Sequence, residues 1–166
     1  MTDPDPTSSL IAFLRGIGLA VHEQPLGGDS FLPGLRVRNG ELLADRDALT
    51  WPGDLLHEAG HLAVLPPDRR RTSSDALEEL DEVALAGEAE ATAWAWAALV
   101  HLGLRPDLLF HDGGYHGRSA RLIATFSAGV YPGCHGLAMA GLTLTGSDAQ
   151  VAGVPPYPHM IRWLRE

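Results

Sequence analysis

Residues 53–63 read Gly-Asp54-Leu-Leu-His57-Glu58-Ala-Gly60-His61-Leu-Ala, and this stretch decides the fold. Leu55, Ala59 and Leu62 recur at helical spacing. Pro52 suits the first turn of a helix, where its missing N–H costs nothing, and Asp54 suits the positive end of the macrodipole. Pro66-Pro67 stops the run. Positions i and i+4 share a helix face, so His57 and His61 can reach one ion at the ~2 Å Zn–N distance. Glu58, rotated from His57 by roughly 100 degrees, flanks such an ion and can take a proton from a water bound to it. His-Glu-x-x-His on a helix is the pattern of zinc hydrolases. Neutral imidazoles leave the Lewis acidity of Zn2+ unquenched, and the carboxylate is a general base. The competing reading, two helix histidines with ordinary hydrogen bonds, explains neither the start and stop signals nor Gly60. That glycine weakens a helix by about 1 kcal/mol and leaves room for another backbone to approach.

Working outward toward the C-terminus, a catalytic site of this kind needs a third protein ligand. No histidine follows at the His-x-x-Gly-x-x-His spacing, so a glutamate from the next helix is the natural donor. Glu88 and Glu90 are the candidates, about 200 degrees apart on a helix. Glu88 is favoured because Ala84, Ala91 and Ala95 continue its small-residue face. The alanines allow close approach to the motif helix, and Trp94 and Trp96 read as core. A helical stretch is predicted from a capping pair, Asp75 with Glu78, to about His101, loosened at Gly87 and ended by Gly103 and Pro106. Beyond it, His111-Asp-Gly-Gly-Tyr115-His116-Gly-Arg118 offers donors for a developing oxyanion on a glycine-hinged loop. Tyr115 is the first choice, with His111, His116, Tyr131 and His135 open as alternatives. Helical segments are predicted at Ser119 to Ser127 and, as a last turn, Pro158 to Arg165.

Toward the N-terminus, Asn39-Gly40 between Leu35–Val37 and Glu41–Leu43 is a strong hairpin signal, since both turn residues tolerate positive φ. Leu19 to His22 reads as a short strand and Gly27-Gly28-Asp29 as a turn. A short helix capped by Ser8 or Ser9 carries Leu10, Phe13, Leu14 and Ile17, and 1–7 reads as a frayed tail. The whole, 1–166, reads as one α+β domain with a small antiparallel-containing sheet beside the motif helix.

A formal net charge of −9 repels phosphate backbones, so nucleic acid is not an expected partner. The basic cluster Arg69-Arg70-Arg71 reads as a solvated loop. No apolar run approaches the ~20 residues of a membrane span, and no membrane partner is expected. The single cysteine, Cys134, permits no intramolecular disulfide, and an acidic N-terminus is unlike a signal peptide; the expectation is a cytoplasmic protein. Apolar residues Trp163 and Leu164 could support a homo-dimer.

These pieces together resemble the ImmA/IrrE type of bacterial zinc metallopeptidase. The family carries HExxH on one helix and a Glu-x-Glu-Ala-Asn-x-Phe-Ala-like segment on the next; here the latter appears as Glu88-Ala-Glu90-Ala-Thr92-Ala-Trp94-Ala95, with Thr for Asn and Trp for Phe. The similarity covers about residues 30–100. It implies His57 and His61 with Glu88 as a gluzincin-like ligand set, Glu58 as general base, and a zincin-like fold. It also implies a cytoplasmic endopeptidase acting on a peptide or protein substrate; the helix-turn-helix domain frequent in the family has no room here. Two alternatives compete. One is a zinc amidase of small substrates, although Cys134 lies on the wrong side of the motif to serve as a deformylase ligand. The other is a catalytically silent zinc-binding module, which should have a closed site of four protein ligands.

Overall fold

Turn chemistry builds the sheet. Asn39 and Gly40, at φ of +51° and +77°, connect β2 (Leu35–Arg38) to β3 (Glu41–Ala44) as an antiparallel hairpin. β1 (Val21–Glu23) pairs in parallel with the other side of β3, giving the mixed order β1-β3-β2. The register sets Val21, Leu42 and Val37 side by side, and all three are buried. The computed structural model describes residues 5–28, 30, 32–75 and 87–166.

Eight α-helices accompany the sheet among the described residues, so the protein is α+β. In chain order they are α1 (Pro6–Gly16), α2 (Gly53–Val64), α3 (Pro67–Thr72), α4 (Glu88–His101), α5 (Pro106–Leu109), α6 (Ser119–Ser127), α7 (Cys134–Met139) and α8 (Gly146–Ala152). None is long and apolar enough to cross a membrane.

α2 touches β2 and β3 and packs along α4. Its predicted stripe is real: Leu55, Ala59 and Leu62 are wholly buried. α4 is buried at every position from Ala91 to Leu99, as expected of a helix that is apolar all round. Its two tryptophans, two residues apart, serve different parts of the core. Trp94 packs against Phe13 and Trp163, Trp96 against Phe110 and Phe126.

Gly60 is where α2 and α4 meet. A Cβ there would lie 2.5 Å from the carbonyl oxygen of Ala91, which is backbone and cannot swing away. Gly60→Ala is therefore expected to destabilise the protein by about 1–3 kcal/mol through overpacking, although alanine is the better helix former. Urea unfolding monitored by tryptophan fluorescence measures this.

Several sequence expectations need correction. α1 starts at Pro6, inside the predicted tail, and its cap is Asp5 rather than Ser8 or Ser9; the Asp5 carboxylate accepts from the N–H groups of Thr7 and Ser8. Arg69, Arg70 and Arg71 lie in a helix and not in a loop, because Pro67 follows the end of α2 yet opens α3 from its N-terminal position. Within α3, Arg70 is not solvated: its guanidinium donates to the carbonyls of Leu62, Leu65 and Arg165, closing the C-terminal end of α2. Residues 158–165 form no helix. Thr143 pairs with Met160 in a β-bridge, and the Ile161 N–H donates to the Leu142 carbonyl. Trp163 and Leu164 are half-buried against the core, Trp163 standing edge-on to Phe13 and Trp94, which leaves the dimer expectation as it stood. Glu78 and Ala84 lie outside the described residues; Asp75 accepts the Val37 N–H at 2.9 Å.

Candidate metal centre

α2 carries His57 and His61 on one face, and α4 delivers Glu88 from its first turn. The two Nε2 atoms lie 3.2 Å apart, His57 Nε2 is 3.2 Å from Glu88 Oε1, and His61 Nε2 is 3.2 Å from Glu88 Oε2. Four donors arranged tetrahedrally at ~2.0–2.1 Å from an ion stand about 3.3 Å from one another. The triangle thus has the edge that such an ion requires, and this group could hold a metal ion.

The chemistry of the donors agrees with their spacing. Two imidazole nitrogens and a carboxylate converge on one point, which is repulsive unless positive charge stands there, as protons or as a cation. The His57 imidazole, then that of His61, holds the Glu88 carboxyl well below the usual carboxylate range, so Glu88 is ionised. Partial exposure of Glu88 leaves the triangle reachable from solvent.

Glu90 goes elsewhere. Its carboxyl lies against α7, where a Cβ at Gly136 would meet Oε1 at 2.2 Å. Two residues on from Glu88, it faces another neighbour, and α4's small side chains make room for both contacts. Glu58 is 8% exposed on α2 and is not one of the three converging groups.

Tyr115 is the one predicted oxyanion donor that reaches the motif. Its ring stands edge-on to His57 at 5.8 Å between centroids and to Phe110 at 5.2 Å. Burial pushes the phenol well above its usual range, and the carboxylates of Asp54, Glu88 and Glu58 push in the same direction. Tyr115 therefore keeps its proton. Its hydroxyl is shielded from solvent and has no hydrogen-bond partner among the described residues, which makes it a donor in want of an acceptor. The other candidates do not converge there. His116 and His135 are exposed, and Tyr131 packs on Phe126 and Tyr157. His111 lies behind Tyr115, paired with Asp54.

That last pairing was not foreseen. Asp54 read only as a macrodipole residue and His111 only as a reserve donor. The place of Asp54 on the His57 face of the helix, three residues before it, was legible; its partner was not. Comparison of the chain with protein-family models, curated proteins and solved structures finds no match.

Proposed function

We propose that the protein is a zinc-dependent hydrolase of zincin-like fold, a metallopeptidase that cleaves a peptide bond. The observation that carries this is the triangle of His57, His61 and Glu88 donor atoms at 3.2 Å edges, with Glu58 next to His57 in sequence and Tyr115 packed on the His57 ring.

His57, His61 and Glu88 would hold the ion, and borderline imidazole with carboxylate donors suits zinc. Zinc held there would supply Lewis acidity. The remaining work belongs to the side chains. The Glu58 carboxylate takes the proton of the attacking water and returns it to the amine nitrogen that leaves. The Tyr115 O–H, kept protonated by burial and its carboxylate neighbours, donates to the oxygen on which charge develops. A proton acceptor, Glu58, and a proton-keeping donor, Tyr115, would divide the work that amide hydrolysis needs. Among the described residues no fourth donor joins the triangle, which favours an open site over a closed structural one.

The test is incubation of the zinc-loaded protein with an internally quenched peptide library, with cleavage sites read by mass spectrometry. Cleavage at internal amide bonds, abolished by 1,10-phenanthroline and restored by added zinc, is expected. A protein that holds zinc stoichiometrically yet cleaves no peptide would overturn the peptidase reading.

A further inference from the structure

The loop that bears Tyr115 has a conformation that its own sequence does not favour. Tyr115 and His116 both have positive φ, +59° and +51°. Each such residue without a glycine's freedom costs about 1–2 kcal/mol, and persists only where the surroundings over-determine it.

The surroundings here are a buried polar pair. Asp54, on the first turn of α2, accepts from His111 Nε2–H at 2.8 Å, and the residues are 8% and 5% exposed. The His111 ring stacks on Trp51 at 4.5 Å with planes 5° apart, and the Ser119 hydroxyl donates to the His111 carbonyl at 2.6 Å. The following glycines close the loop onto these rings. A Cβ at Gly113 would lie 2.3 Å from Trp51 Nε1, and one at Gly114 3.1 Å from His111 Cε1. Tyr115 comes next and is wedged between the rings of His111, at 6.0 Å, and His57, at 5.8 Å.

We propose that Asp54 and His111 are positioning residues for Tyr115: their buried hydrogen bond ties residues 111–118 to the helix that carries His57 and His61, so that the phenol is referenced to the metal ligands themselves. The proposal rests on the hydrolase reading above. A buried hydrogen-bonded pair adds little stability over an apolar pair of similar size, so its value lies in fixing geometry. Asp54 can do this because it shares a helix face with His57, three residues away. Trp51 packs the loop from the far side of His111, and Gly113 and Gly114 allow the close approach.

The experiment uses the full chain loaded with cobalt(II), whose visible absorbance reports binding of acetohydroxamate, a small anionic oxygen ligand for the ion. Tyr115→Phe is expected to weaken acetohydroxamate about tenfold, the scale of one charge-assisted hydrogen bond. The apolar pair Asp54→Leu/His111→Phe should fold, since no buried polar group is left alone, and should weaken it by the same factor. Adding Tyr115→Phe to that pair should cost nothing further, because residues that act through one another are not additive. His111→Gln keeps an N–H for Asp54 and should stay within about threefold of the parent. On a cleaved peptide from the library, Tyr115→Phe and the apolar pair should lower kcat and leave KM unchanged, and His111→Gln should keep the parent kcat. Wild-type acetohydroxamate affinity in Tyr115→Phe or in the apolar pair, or additive losses in the triple variant, would overturn the proposal. Failure of the parent chain to bind cobalt at all would instead remove the hydrolase reading beneath it.

Discussion

Protein purified with zinc is expected to retain about one equivalent per chain, and His57→Ala to lose it. The physical reason is the sharing of one point by three donors. With His57 gone, His61 and Glu88 remain 3.2 Å apart and can offer two bonds where three stood. Loss of even an outer-shell partner weakens a metal by about 10–100-fold, and loss of a ligand should exceed that. Two controls sharpen the result. His135→Ala, an exposed histidine away from the triangle, should keep the metal, and so should Glu90→Gln, whose carboxyl faces α7. Glu88→Gln should weaken it, since a neutral amide is a poorer ligand for the ion than an ionised carboxylate. A second readout is stability. A ligand at a hundred times its dissociation constant raises unfolding free energy by about 2.7 kcal/mol, so zinc should raise the Tm of the parent and not that of His57→Ala. Elemental analysis after dialysis and a thermal melt check both. An undiminished zinc content in His57→Ala would remove the triangle as a metal site.

What the sequence made legible was whatever depends on residues close together in the chain. The Asn39-Gly40 hairpin followed from two residues that accept positive φ, and the start and end of α2 from its prolines. Gly60 was legible as a point of approach because a glycine inside a helix needs a reason, and Ala91 of α4 supplies it. Long-range pairings were not legible. Asp54 and His111 are 57 residues apart, and nothing in either neighbourhood names the other. Arg70 looked solvated amid charged neighbours, yet it reaches the α2 carbonyls and Arg165 at the far end of the chain. The C-terminal residues 158–165 misled for a related reason. Their apolar spacing suits a helix, but backbone pairing with Leu142 and Thr143 holds the segment in another shape. α7 and α8 span only 6 and 7 residues, so no periodicity accumulates in them before they end.

Glu58→Gln is expected to leave zinc content unchanged and to lower peptide hydrolysis by about 10²–10⁴-fold, the range for loss of a positioned general base. The substitution keeps the shape of the side chain, and Glu58 is not among the three groups that converge on the ion position. What changes is proton affinity: an amide cannot accept the proton that the attacking water must release. Because Glu58 is nearly buried, bulk solvent is poorly placed to take over that role. The loss should therefore fall in kcat, since the carboxylate is used as the proton moves and not in holding the substrate beforehand. Tyr115→Phe offers the complementary change, removing a donor where Glu58→Gln removes an acceptor. If both act on one reacting centre, combining them should cost less than the product of their separate effects. The measurement is steady-state cleavage of one library-derived peptide, with zinc per chain determined on the same samples. A Glu58→Gln protein that cleaves at the parent rate with its zinc in place would remove Glu58 as the general base.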